Sequence, residues 1–254
     1  MSDSYRALCS DFYLNQKLNL KLELPRDRQP MLDLFDRFRR QFPGMTQFRR
    51  LKEEIALEAE PGPEPHRWVA VRSSSIRSGS VNYPSLDEAL ALHRHVLEVS
   101  PFFLGVSPLD VDFLELLFGF DVVTDRPHDD AVAAALMGNG PMADLLNLPD
   151  SVVVDFQPML GLLLRDGLGP AIEGCPNRDL EVSCEVKTRP GPRTAAREEP
   201  ISVYLTLRHY GPLRDITQLP MVLDRLAQRG EEIALSSVMP QVVVPIRQAL
   251  GMES

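Results

Sequence analysis

A run of alternating residues near the start of the chain constrains the fold more than any other feature. Between Phe12 and Leu24, apolar side chains occupy nearly every even position, and polar side chains such as Asn15 and Lys17 lie between them. Successive side chains of a β-strand point to opposite faces, so this period of two predicts a strand with one buried face. The protein therefore contains a sheet that is covered on one side.

The segments that follow alternate between helical and extended patterns. Pro30 begins a helical pattern that ends at Pro43, and Ser85 with Glu88 has the spacing of a capping box at the start of a second helix. Further strands are predicted at 46–58, 67–77 and 112–123. The order β-α-β-β-α-β is that of a ferredoxin-like unit, in which helices cover one face of an antiparallel sheet. We therefore predict a ferredoxin-like α+β half over residues 1–124.

The remaining residues, 125–254, predict a second α+β half that packs against the first. Its predicted elements are a helix over 129–137, a strand from 151, strands over 180–186 and 201–207, and helices over 215–230 and 238–250. The segment between 188 and 200 is rich in proline, glycine and charge, which is typical of a hairpin tip. This half is either a degenerate duplication of the first or part of one larger mixed sheet with helices on one face.

Charge and composition exclude several classes of protein. The chain has 27 basic and 36 acidic residues, a formal net charge of -9, and this field repels a phosphate backbone, so we expect no nucleic-acid partner. No apolar run approaches the roughly 20 residues that span a membrane, and the first residues do not resemble a leader peptide. The three cysteines lack paired spacing, which favours a reducing compartment. A cytoplasmic location without membrane contact is the expectation.

The segment from Arg72 to Ser80 is the best candidate binding site in the sequence. It continues a strand, yet hydroxyl and guanidinium groups replace the bulky side chains that strands favour. Such groups hold anions by charge-assisted hydrogen bonds. Tyr210 follows another patterned strand, and the neighbouring His209 is the candidate acid or base. The predicted anion ligands are Arg72, Ser74, Arg77, Ser78, Ser80 and Tyr210, and the alternative is a polar edge strand with His209 at the margin of the core.

Other candidate clusters favour structural roles. His93 and His95 lie two residues apart on a predicted helix and point to opposite sides, so they do not share a metal ion, and His93 is expected to pack against the sheet. The acidic segment 125–130 suits a helix N-terminus better than a cation site. Cys184 is expected to be buried and Cys175 to be a free surface thiol. No metal and no cofactor is predicted.

The sequence therefore leaves two classes of function. The chain contains none of the common nucleotide-binding, hydrolase or metalloprotease motifs, which favours a non-enzyme without settling whether the protein is catalytic. The first hypothesis is a non-catalytic binding or assembly protein that acts through sheet surfaces, as a homo-oligomer or with a protein partner. The alternative is an enzyme or sensor that binds a small anionic metabolite at the arginine- and serine-rich strand.

Overall fold

One antiparallel sheet of nine strands organises the molecule. The computed structural model describes residues 2–25, 27–62, 65–188 and 199–252. The strands are Asp11–Leu20 (β1), Met45–Arg50 (β2), Glu54–Ala59 (β3), His66–Arg72 (β4), Ser75–Val81 (β5), Val111–Val123 (β6), Met159–Leu164 (β7), Leu180–Lys187 (β8) and Pro200–Tyr210 (β9). They lie side by side in the order β2-β3-β4-β5-β1-β6-β9-β8-β7. The predicted α+β class is confirmed.

Helices connect the strands and form a second layer. They are Ser2–Leu8 (α1), Arg28–Gln41 (α2), Leu86–Leu104 (α3), His128–Met137 (α4), Leu219–Ile233 (α5) and Val244–Ala249 (α6), with a π-helical segment, Ala234–Val243, joining α5 to α6. The predicted capping box of α3 is present, because the Ser85 hydroxyl accepts from the backbone N–H of Glu88. Within the described ranges, no helix is both long and apolar enough to cross a membrane.

The alternating pattern of β1 divides the sheet into two faces. Phe12, Leu14 and Leu18 are buried, and helices α3 and α5 pack on that side. Phe118 of β6 lies on the same side, directly against α5 at Gly230. The odd positions of β1, with their neighbours in register, form the opposite face, which we call the open face. The strand ends at Leu20, earlier than predicted, and Leu22 is exposed.

The specific ferredoxin-like βαββαβ unit is not confirmed. The predicted strand 46–58 is a hairpin of β2 and β3, and the predicted strand 67–77 is interrupted at Ser73 and Ser74, where β4 turns into β5. A turn at each place reverses the chain and adds a strand, so five strands precede β6. In addition, β1 pairs antiparallel with β5 on one side and with β6 on the other.

One strand of the second half begins later than predicted. The segment from Ser151 becomes β7 only at Met159, after Pro158. The predicted helices at 215–230 and 238–250 are parts of one nearly continuous helical region that begins at Leu219, with Asp215 capping the short turn before it. Of the predicted hairpin tip at 188–200, residues 189–198 lie outside the described residues.

The two halves of the sheet have the same order of connections. Outward from the centre, one side reads β1-β5-β4-β3 and the other reads β6-β9-β8-β7, with β2 as an extra strand beyond β3. In each half a strand is followed by a helix, then by a run of strands and a second helix; the run has four strands in the first half and three in the second. The sheet is continuous across residue 124, because β6 pairs with both β1 and β9. The division at 124 and the duplication stay predictions.

Candidate functional site

The residues of the predicted anion site lie on both sides of the sheet. Arg72 and Arg77 belong to the open face, because Arg77 is in register with Lys17 of β1. Ser78 and Ser80 point to the helical side and are fully buried. Ser74 lies in the turn between β4 and β5. The structure therefore does not bring these six predicted ligands together, and Tyr210 lies on a different strand across β1 and β6.

The two arginines already have partners on the open face. The Arg72 Nε donates to Glu54 Oε2 at 2.7 Å. The Arg77 guanidinium lies over the Trp68 ring, 5.7 Å from its centroid. Burial lowers the pKa of Arg77, and the charge of Arg72 lowers it further. Arg72 is therefore held in an ion pair, and Arg77 is a half-buried cation that rests on an aromatic surface.

Ser78 belongs to a buried polar network in the core. Its hydroxyl donates to Gln16 Oε1 at 2.9 Å and lies 2.7 Å from His93 Nδ1. Because the hydroxyl has a single hydrogen, His93 Nδ1 carries the proton and donates to Ser78. Burial lowers the pKa of His93 to about 3, so the ring is neutral at ordinary pH. This is the core histidine expected from the helical pattern.

His209 is buried on the helical side and makes a contact that the sequence did not indicate. Its Nε2 lies 3.2 Å from the Cys175 Sγ, and its Nδ1 lies 3.4 Å from the Asp179 carbonyl. Cys175 is 3% exposed, so the expectation of a surface thiol was wrong. The neighbouring Gly174 has a φ of 78°, a conformation that glycine adopts readily.

The thiol and imidazole form a neutral pair. Burial raises the pKa of Cys175, and burial lowers the pKa of His209 against the opposing effect of the Asp179 carbonyl. The Cys175 thiol also donates to the Asn177 carbonyl at 3.3 Å, so both His209 and the loop backbone lie within hydrogen-bond distance of the sulfur. A nucleophilic cysteine requires the thiolate and access to substrate, and this pair has the opposite properties. The pair connects the loop that contains Cys175 to β9.

Charges on the open face are largely compensated within that face. Arg208 donates to Glu115 and, at 2.9 Å, to Glu181, which lie on the strands at either side of it. The Lys17 ammonium lies over the Phe113 ring. Trp68 and Tyr13 cover Gly79 and Gly119, where an added Cβ would collide with the rings. The open face is therefore a packed layer of its own.

The outer edge of β7 differs from the rest of the surface. This strand, Met159–Leu164, has the sequence Met-Leu-Gly-Leu-Leu-Leu, and we call it the β7 edge. Four of its apolar side chains are exposed, namely Met159, Leu160, Leu162 and Leu163. The exposed apolar side chains Val152 and Val154 precede it in the chain. Within the described part of the chain, β7 is the last strand of the sheet.

The backbone of the β7 edge is oriented for a further strand. The Val186 N–H donates to the Pro158 carbonyl at 2.9 Å, which places that carbonyl toward β8. Backbone groups of alternate residues point to the same side, so Met159, Gly161 and Leu163 direct their N–H and C=O groups outward. Space around Gly161 is open, because a methyl group added at its Cα would have no atom within 4 Å. The sequence pattern did not reveal this edge, because an apolar run alone does not distinguish an edge strand from a central one.

Among residues 2–25, 27–62, 65–188 and 199–252, no cluster of three or more histidine, cysteine and carboxylate side chains could hold a metal ion. The buried, neutral cysteine and histidine pair and the compensated open face leave the β7 edge as the strongest candidate for function. Comparison with known proteins adds no further assignment: no protein-family model matches the chain, and no curated protein sequence is significantly similar to it.

Proposed function

We propose that this protein is a non-catalytic assembly protein that joins a second copy of itself along the β7 edge. The observation that carries the proposal is an uncharged strand, Met159–Leu164, with exposed apolar side chains and outward backbone groups. Another strand gains both backbone hydrogen bonds and apolar contacts at such an edge. The part of the sheet that is proposed to bind the second copy is thus the β7 edge.

A second copy of the chain is the occupant that fits the edge best. Two identical antiparallel strands are related by a two-fold axis, so β7 pairing with β7 forms a closed dimer. The pairing brings no like charges together, because β7 carries no ionisable side chain. Pairing through β2 would bring Arg49 and Arg50 of two copies close to each other.

Substitution of Leu162 by lysine tests this function. We expect the wild-type protein to be a dimer by sedimentation velocity and native mass spectrometry. Leu162→Lys places two charges inside the pairing and should weaken dimerisation at least about hundredfold. The matched control is Phe48→Lys on β2, because Leu162 and Phe48 are both 49% exposed on edge strands. The control should remain a dimer.

Two outcomes would overturn the proposed function. One is a wild-type protein that stays monomeric at about 100 μM, a concentration at which even a weak specific dimer is populated. The other is an equal loss of dimer in Leu162→Lys and Phe48→Lys, which would place the contact elsewhere. Circular dichroism of each variant verifies that the sheet has formed. The anion-binding enzyme or sensor stays a prediction from the sequence.

A further inference from the structure

A cleft lies between α2 and the β2–β3 hairpin, at the opposite end of the sheet from β7. Its volume is about 710 Å³, within the range of small-molecule sites. Met31 and Leu32 line it from α2, and Phe48 and Ile55 line it from the hairpin. We call this feature the α2 cleft. None of the residues predicted from the sequence as ligands lies in it except Arg72.

The floor of the α2 cleft is apolar and its rim carries exposed apolar side chains. Leu24, Met31 and Val71 are buried at the bottom. Leu32, Phe48 and Leu51 are large apolar side chains that stay exposed around them. Exposed apolar side chains that line one concave site favour an apolar ligand that covers them.

The same cleft concentrates basic side chains in an acidic protein. Arg28, Arg50, Lys52 and Arg72 line it, together with the two carboxylates Glu53 and Glu54. Glu54 is engaged by Arg72 at 2.7 Å. In the described ranges, no ion pair involves Arg28, Arg50 or Lys52. The chain as a whole has a net charge of -9, so this local excess of cations is selective for an anion.

The combination of cations with an apolar floor suits an elongated ligand with one charged end. Arg50 is in register with Ile55, whose neighbour Val71 lies on the helical side of the sheet, so Arg50 faces the cleft from β2. Arg28, the first residue of α2, also lines the cleft. A carboxylate between these two side chains is held by charge-assisted hydrogen bonds, while an alkyl chain lies over the apolar floor.

We propose that the α2 cleft binds a single-chain alkyl carboxylate, with the carboxylate held by Arg28, Arg50 and Lys52 and the chain packed against Met31, Phe48 and Val71. This binding is independent of dimerisation, because the cleft and the β7 edge lie at opposite ends of the sheet. The ligand class differs from the small polar anion considered from the sequence, since the apolar floor demands a hydrocarbon segment.

Isothermal titration calorimetry with decanoate, octanoate and decan-1-ol tests the proposal. Decanoate should bind, and octanoate, which is two methylenes shorter, should bind about fifteenfold more weakly, because each buried methylene contributes about fourfold in affinity. Decan-1-ol, which has the same chain without the charge, should bind at least about tenfold more weakly than decanoate. Equal binding of decanoate and decan-1-ol would overturn the role of the cations.

Two adjacent arginines provide a matched pair of variants. Arg50→Glu should weaken decanoate binding at least about tenfold. Arg49→Glu makes the same change in net charge, but Arg49 lies on the open face, in register with Ala56 and beside Glu58, and should leave binding within about twofold. Lys52→Glu, in the exposed turn, is a second test should Arg50→Glu fail to fold.

Several results would contradict the α2 cleft as an alkyl carboxylate site. The first is the absence of any heat of binding for decanoate up to about 1 mM. The second is an equal loss of affinity in the two arginine variants. Binding of an acidic peptide or of anionic vesicles without binding of decanoate would also overturn it. The Leu162→Lys variant should bind decanoate with unchanged affinity, which separates this test from the dimer test.

Discussion

The sheet ends in two strands that differ in almost every respect, β2 at one edge and β7 at the other. β2 has the sequence Met-Thr-Gln-Phe-Arg-Arg, and its Phe48 packs against Phe35 of α2 with ring centroids 5.2 Å apart. β7 has no charged side chain, and its leucines remain exposed on the helical side as well as on the open face. One edge is charged and packs against helix α2, whereas the other carries no charge and leaves large apolar side chains exposed.

The contrast shows how an edge strand is protected when it is not meant to pair. Charged side chains and a covering helix both discourage the addition of a foreign strand. Arg49 and Arg50 provide the first device at β2, and α2 provides the second. This difference between the two edges is the basis of the proposed assembly through β7.

The largest expected effect comes from removing an outward backbone donor of β7. Gly161→Pro deletes one N–H that points away from β8, so it should weaken dimerisation at least about hundredfold while leaving the β7–β8 ladder in place. Gly161→Ala is the control, since space around this position is open and the N–H is retained. Sedimentation equilibrium measures both dimer constants. Equal dimerisation of the two variants would show that β7 does not pair through its backbone.

A smaller effect is expected when the protection of β2 is removed. Replacing Arg49 and Arg50 by leucine should allow the β2 edge to pair with a strand of another molecule as well. Dimers should then associate with each other with an affinity at least about tenfold higher than in the wild type. A sheet that pairs at both edges forms open-ended oligomers rather than closed dimers. Multi-angle light scattering would detect the larger species. An unchanged dimer would mean that α2 alone protects β2.

The smallest expected effect on dimerisation is that of acid. β7 carries no ionisable side chain, so the dimer constant should change less than about twofold between about pH 8 and pH 6.

The stability of the fold depends on pH more strongly, because the pKa of His93 is about 3 in the folded protein and returns to about 6.5 on unfolding. The contribution of His93 to stability is therefore complete above about pH 6.5 and is lost as the pH falls from there toward 3.

Urea unfolding at several pH values measures this loss. His93→Gln removes the titrating group and keeps an amide that can bond Ser78, so the variant should be less stable at neutral pH and lose less stability on acidification than the wild type. An identical acid response in the two proteins would assign the pH dependence to other groups. A parallel loss of dimer above pH 6 would contradict the apolar character of the β7 contact.

The sequence predicted those parts of the fold that depend on local patterns. The strand at Phe12 to Leu20, the cap at Ser85 and the core position of His93 follow from periodicity and spacing alone. The turns at Lys52 and at Ser73 were missed, because no glycine or proline marks them. Each turn adds a strand, and the predicted ferredoxin-like order is not obtained as a result.

The candidate sites depended on contacts between distant residues, which one sequence does not contain. Alternation along β5 separates Arg77 from Ser78 and Ser80 by placing them on opposite faces, and this much was available from the sequence. The contact between Cys175 and His209 could not be predicted from the sequence, since 34 positions and a strand separate the two residues. The exposure of Leu162 depends on β7 being last in the sheet, which is a property of the topology.

The central pairing of β1 with β6 has a consequence for the order in which the protein acquires its structure. The partner of Leu20 on β6 is Val111 and the partner of Asp11 is Asp121, so one side of β1 stays unpaired until β6 has been synthesised. Its other side closes earlier, with β5. A sheet of β1 to β5 formed during synthesis would therefore have β1 as an unpaired border until β6 arrives.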